Sequence, residues 1–297
     1  MNILKKTPGL ALVLAILLVI WFLIALFGAN LGVIDKLTAF GTMTVGIGAM
    51  ASMVVAVVAI VGLIAALAFK PRQGWGKALI ALAIPLAVLA GFNQLRVQAA
   101  SVPFIYDITT NTADAPLYSE AMIKARADSG DGVNPLLDFN APLGNYEKWA
   151  ENEDLKDIAA AALIAEGYPD LKTLEVASSP ADAIAVIKDA MEMRGFENVT
   201  VDEQAGTVEG TATVFWYGFE DDVAARVRAA EAGASIDFRS TSRVGTSDLG
   251  VNAERIADLS EAVEDRLARD FPKMEAVEIA EDAGEESEAE DEQVAAE

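Results

Sequence analysis

The sequence predicts a three-span helical membrane anchor followed by an α+β domain whose four-stranded antiparallel sheet carries helices on one face. Three observations lead there. The first is a conflict in composition: 53% of the 297 residues are apolar, yet the formal net charge is -23. Apolar excess and acid must therefore occupy different segments, and Leu10 to Phe92 is indeed mostly Ala, Val, Ile, Leu, Gly and Met. The second is the length of the uncharged runs, and the third is a switch from helical to alternating periodicity late in the chain.

Leu10 to Gly28 contains 19 residues without a charge, close to the ~20 needed to cross a hydrocarbon layer of ~30 Å. Lys5 and Lys6 precede it, as they would in a signal peptide. The run is longer than the ~7–15 residues of a signal core, and no small-residue cleavage site follows. A retained anchor is the better reading. Thr42 to Phe69 forms a second span, with Gly48, Ser52 and Ala56 as a small-residue packing stripe. Ala78 to Phe92 is shorter and contains Pro85; Trp75 and Arg96 would anchor it at the two interfaces.

Basic residues orient the bundle. Lys5 and Lys6 lie before the first span, and Lys70, Arg72 and Lys77 lie between the second and third, whereas Asp35 and Lys36 cancel in the intervening loop. The positive-inside rule places both basic clusters in the cytoplasm. Three crossings then put everything beyond Arg96 in the periplasm of an inner-membrane protein. Without the third crossing that domain would be cytoplasmic. No span contains an ionisable residue, which argues for an anchor rather than a transporter or pump.

The anchor occupies residues 1–96, the α+β domain 97–273, and a disordered acidic tail 274–297, poor in groups to bury. Within the domain, Val97 to Tyr118 reads as extended and Asp128 to Pro142 as a surface loop. The acids of that loop do not match the calcium-loop spacing. Helices are predicted over Asp154 to Glu166, then from Ser179 as N-cap to Gly195, with Pro180 in the first turn. "ENVTVDEQ" and "TVEGTATVFWYGF" form one hairpin, "DDVAARVRA" and "SIDFRSTSRV" a second. A last helix covers Asn252 to Ala268, capped by Asp248 or Asn252.

If the second hairpin turns on Ala232-Gly233, Arg228 faces Asp237, Arg226 faces Arg239 and Asp222 faces Arg243. All six share one sheet face, while Val223, Ala225, Val227, Ile236 and Phe238 share the other. Two pairs neutralise themselves. The third sets two guanidinium groups abreast, which is unfavourable without an anion between them. The face is thus read as an ion-pair ladder that Glu209 or Glu220 completes, or as an anion or partner site at Arg226 and Arg239 with Ser240, Thr241 and Ser242 as donors.

Composition also excludes chemistry. The chain has no Cys and no His, so disulfides, thiolate nucleophiles, zinc fingers and histidine-based triads are ruled out. No metal site and no cofactor is implied. An acidic chain is repelled by phosphate backbones, so nucleic acid is not a partner; a protein partner or small anion is. No P-loop, nucleophile elbow or dinucleotide motif is present.

"VPFIYDITTNTADAP", "YPDL", "GFEDDVAARV" and "DFRSTSRVGTSDLGVNAERI" together resemble the bacterial family catalogued as domain of unknown function 1499, over about Val102 to Val263. "ITTNTADAP" departs from the more acidic, double-proline form of that family, and Glu220 stands where a lysine is common. The resemblance implies the domain, agrees with a membrane-attached protein and implies no activity. The expected function is a membrane-anchored periplasmic binding or assembly module. The alternative is an envelope hydrolase using carboxylates such as Asp221 and Asp222 with Arg226 and Arg239.

Overall fold

Helix α1 (Asn2–Asn30) leads by a short turn into a π-helical stretch, Thr38–Gly48, that continues as α2 (Ala49–Ala68); α3 (Trp75–Ser101) follows. The structure, a computed structural model, describes residues 2–70, 72–130 and 132–271. The acidic tail assigned to 274–297 lies outside the described residues. Among the described residues, three helices are long and apolar enough to cross a membrane: Lys6–Asn30, Thr38–Ala68 and Trp75–Ser101. The third segment is longer than the apolar run Ala78 to Phe92 suggested. Its helix continues through Pro85 for 27 residues, about 40 Å at ~1.5 Å per residue, and passes the boundary set at Arg96.

Small residues hold the bundle. Ala11, Ala15 and Leu18 of α1 cluster with Val55 and Ala59 of α2 and Ala81 of α3. The stripe Gly48, Ser52 and Ala56 is buried. A Cβ at Gly48 would come within 2.5 Å of the Phe22 ring, so that glycine admits an aromatic side chain from α1. Close backbone approach replaces the hydrophobic driving force that lipid does not supply.

Beyond Ser101 the chain forms strands β1 (Asp107–Thr109), β2 (Leu174–Val176), β3 (Glu197–Asp202), β4 (Thr207–Thr213), β5 (Glu220–Ala230) and β6 (Gly233–Ser242). Helices α4 (Glu120–Asp128), α5 (Ala160–Gly167), α6 (Pro180–Met193) and α7 (Val251–Asp270) are interspersed. The sheet is six-stranded, not four-stranded, in the order β1-β6-β5-β4-β3, with β2 also on β6. The four predicted strands are all present. The two extra ones have three residues each, too few for alternation to register, and β6 recruits them end to end along its outer edge.

Alternation sorts the sheet faces as expected. Val223, Ala225, Val227, Ile236 and Phe238 join Ile187 and Met191 of α6 and Ile256, Leu259, Val263 and Leu267 of α7 in the main core. Ser179 caps α6 by accepting from Asp182 N at 3.2 Å. Helices are not confined to this face, however. On the opposite face α4 packs Met122 with Tyr118 against Ala224. Asp128 to Pro142 is likewise more than a surface loop: Asn134, Leu137 and Phe139 are buried. The helix expected over Asp154 to Glu166 is confined to α5, and turns precede it.

The second hairpin turns one residue earlier than predicted. Ala230 pairs with Gly233, so Glu231 and Ala232 form the loop, and Arg226 faces Asp237, Arg228 faces Ser235, Ala224 faces Arg239 and Asp222 faces Thr241. Glycine was the misleading signal. A Cβ at Gly233 would lie 2.2 Å from Val176 O; the glycine follows the loop, with φ 142°, and admits the approach of β2. Register moves by two residues, so every side chain keeps its face.

Candidate functional site

The polar sheet face is covered by the segment leading from β1 to α4 and by the 134–139 stretch, and three ion-pair clusters fill the space beneath. At one end Asp222, fully buried, accepts from Arg126 Nη1 at 2.7 Å and from Arg243 Nη2 and Nε at 2.7 and 2.9 Å. Thr211 Oγ1 donates to the same carboxylate at 2.8 Å, and Glu220 takes Arg243 Nη1 at 2.8 Å. In the middle Asp107 grips Arg239 bidentately, Nε at 3.0 Å and Nη2 at 2.6 Å, while Thr241 Oγ1 and Leu137 N donate to it at 2.6 and 3.0 Å. The Arg239 guanidinium also donates to Pro116 O and Leu137 O. The rings of Tyr118 and Phe139 flank it, centroids 5.5 and 5.0 Å away. At the far end Arg226 Nη2 meets Asp237 at 2.7 Å, Thr173 Oγ1 donates to Asp237 at 2.6 Å, and Asp114 holds both Arg226 and Arg228.

Several expectations are corrected by this geometry. Arg226 and Arg239 do not stand opposite one another, and each has its own aspartate. Arg228 pairs with the exposed Asp114 and not with Asp237. The Asp222–Arg243 pair forms as expected, though the two are not strand partners. Ser240, Thr241 and Ser242 do not act together, because alternation splits them. Thr241 belongs to the Asp107 cluster. Ser240 Oγ donates to Asn252 Oδ1 at 2.6 Å and Ser242 Oγ accepts from Asn252 Nδ2 at 3.0 Å on the α7 side. Asp221 and Asp222 lie on opposite faces, as strand alternation requires, Asp221 meeting Arg255 at 2.6 Å.

Sequence reasoning missed Asp107, Asp114 and Arg126. Asp107 had one signal, an acid set inside the apolar run "PFIYDI". Buried charge in such a run needs a partner, but only the fold identifies Arg239. Near α7, Asp248 accepts from Gly250 N and Asn252 N at 2.9 and 3.0 Å, which caps the helix as expected. Burial first, and then the neighbouring Asp221, push its carboxyl up to about 6, against those backbone bonds and Arg255.

A cavity of about 330 Å³ opens at the edge of the polar face, lined by Glu209, Arg226, Tyr118, Ser119, Thr200 and Thr207 among others. Glu209 is 4% exposed and forms no ion pair among the described residues. It is held by Ser119, whose N and Oγ donate at 2.6 Å each, while the same Oγ accepts from Met122 N and caps α4. A carboxylate offers about four acceptor positions, so half of them remain. Arg226 Nε is buried and has no hydrogen-bond partner. A second groove, about 740 Å³, runs between the end of α3, the 167–174 segment and α7. It is largely apolar, with acids from α7 on its rim, and Tyr168, whose buried hydroxyl has no hydrogen-bond partner among the described residues, is part of its lining.

The family described as protein of unknown function, DUF1499, has a sequence model that matches residues 107–263. That is more than half of the chain. The chain belongs to the DUF1499 family. No curated protein and no solved structure matches it. The DUF1499 match opens at Asp107, the acid that neutralises Arg239, and closes at Val263 in the α7 core. It therefore contains all three charge clusters and the cavity, and none of the three apolar helices.

Proposed function

We propose that the protein is a membrane-anchored binding or assembly module of the bacterial envelope, its domain on the periplasmic side of the inner membrane, and that the Glu209–Arg226 cavity is its small-ligand site. One observation carries the binding reading. On the polar face the chain's own carboxylates neutralise the arginines, and two residues with hydrogen-bonding capacity to spare line one cavity: Glu209, whose carboxylate accepts only from Ser119, and Arg226, whose buried Nε has no partner. A free anion would satisfy the arginine and be repelled by Glu209. A molecule that presents an acceptor and a donor together, such as a zwitterion or a primary amide, suits both. The hydrolase alternative would place Glu209 beside Asp202 in the same cavity.

Thermal melting of the full chain in detergent micelles tests the site. Small amino acids or amides are expected to raise the melting temperature of the wild type and not of Glu209→Gln, with phosphate inactive on both. Equal shifts in both proteins would reject the site. Hydrolysis of a bound amide or ester that Glu209→Gln abolishes would replace the binding reading with the enzymatic one.

Location follows from charge. Lys6, Lys70, Arg72 and Lys77 belong to the end of the bundle where Gly74 approaches Pro8. The domain contacts the other end, through Gln98 Nε2 to Leu249 O at 3.2 Å and Lys36 to Glu220 at 3.6 Å. A bundle with most of its cations on the side away from the domain, against Lys36 and Arg96 on the near side, supports a periplasmic domain. A reporter active only in the periplasm and fused after Lys273 is expected to be active; activity of a cytoplasmic reporter alone would reverse the assignment.

A further inference from the structure

The β4–β5 connection, Val214 to Phe219, reads "VFWYGF", an aromatic tip on the hairpin. Val214 N donates to Phe219 O at 2.7 Å and closes it. Tyr217 and Gly218 both have positive φ, 61° and 66°. Glycine adopts this freely, whereas tyrosine needs surrounding contacts to hold it there. Those contacts come from the membrane anchor. Tyr217 clusters with Ala25, Ala29 and Ala39, and its ring lies 5.4 Å from Phe40. Its hydroxyl lies 2.6 Å from Thr44 Oγ1. Phe219 meets Phe40 edge-on at 6.0 Å, and a Cβ at Gly218 would lie 3.2 Å from Asn30 Oδ1.

These partners set the depth of the hairpin. Ala25 lies within the uncharged run Leu10 to Gly28, and Thr44 within the second run, Thr42 to Phe69. Tyr217 therefore reaches the level at which both helices are still apolar, about one and a half helical turns (~8 Å) inside their ends. Its neighbours point away from the protein: Phe215 is 77% and Trp216 61% exposed, their rings 5.2 Å apart. Leu31 and Val33, beside Asn30 in the α1–α2 turn, are also exposed, at 76% and 79%. Apolar and aromatic side chains thus form a collar where the domain meets the spans. Lipid-facing positions on α2 such as Val57 continue the apolar surface below it.

We infer that the β4–β5 hairpin is a membrane-interface anchor: Phe215 and Trp216 enter the headgroup and upper acyl region of the outer leaflet beside the span ends. Trp and Phe suit that layer, with apolar bodies and, in Trp, one donor for the wet side. The contact fixes the orientation of the sheet above the membrane. β4 and β5 run from the hairpin tip to the cavity at Thr207, Glu209 and Arg226, so the cavity opens on the part of the domain away from the bilayer. The inference rests on the reading of the three apolar helices as membrane spans.

The chain lacks cysteine, so single-cysteine variants can be spin-labelled without background. Phe215→Cys, Trp216→Cys, Val57→Cys and Gln204→Cys are each prepared as the full chain in lipid nanodiscs. Collision rates with oxygen, which concentrates in lipid, and with a water-soluble nickel complex give the depth of each label. Gln204 is an exposed residue in the β3–β4 turn, at the other end of the sheet, and is the aqueous control. The oxygen-to-nickel ratio at 215 and 216 is expected to exceed that at 204 several-fold and to fall below that at 57. A ratio at 215 and 216 equal to that at 204 would overturn the inference, and so would labels inaccessible to both reagents, which would mean protein covers the tip. A water-like ratio at 57 would instead refute the spans themselves.

Discussion

Replacing Arg239 with Met is expected to remove a large share of the stability of the domain. Asp107 is fully buried and would lose both ends of its bidentate partner, and Pro116 O and Leu137 O would lose their donor. Breaking a buried ion pair from one side costs about 3–5 kcal/mol, against a whole-domain stability of about 5–15 kcal/mol. Urea unfolding of the full chain in micelles measures this. Near-ultraviolet circular dichroism of the stacked Tyr106–Trp149 pair, centroids 5.1 Å apart, reports the domain. The double variant Arg239→Met with Asp107→Leu is expected to recover part of the loss, because removing both charges removes the unpaired one. A single variant as stable as the wild type would show that Arg239 is held for a ligand and not for the fold.

A loss of similar size is expected from Asp222→Asn. The amide keeps the shape of the carboxylate but turns one acceptor into a donor. It faces Arg126, 3% exposed, and Arg243, 9% exposed, which now confront each other across a neutral group. Arg243 retains Glu220; among the described residues Arg126 has no second carboxylate. The cost is expected at about 3–5 kcal/mol, measured in the same urea titration. Arg126→Met should cost less, since Asp222 would still hold Arg243. If Asp222→Asn cost under about 1 kcal/mol, the range of an ordinary exposed pair, the cluster would be peripheral to stability and free for another role.

Both experiments turn on the same property of the polar face. Cations there are enclosed by acids from distant parts of the chain, and only at the Glu209–Arg226 edge does the pairing leave atoms over. The covering segment contributes Asp114, Pro116 O, Tyr118 and Ser119, so it is as much part of the network as the sheet is. Loosening it would expose arginines and carboxylates together, which is why the face works as architecture first and as a site only at its margin.

The sequence by itself determined the elements whose periodicity is long enough to read. Three apolar helices, the β3–β6 strands, the N-cap at Ser179 and the α7 stripe Ile256, Leu259, Val263 and Leu267 follow from local pattern. So does the division of β5 and β6 into an apolar and a charged face, which survives even a two-residue error in register. The tertiary structure alone decided which charges meet. β1 and β2 are too short to announce themselves, and Gly233 signalled a turn while serving the approach of β2 to β6. Asp107 is separated from Arg239 by more than a hundred residues, and no local pattern links them. Depth was equally hidden: "VFWYGF" reads as the end of a strand until Tyr217 is found against Ala25, Ala29 and Phe40. Local propensity acts over a few residues, whereas charge pairing, burial and the level of a side chain against the spans are set by where the chain returns to itself.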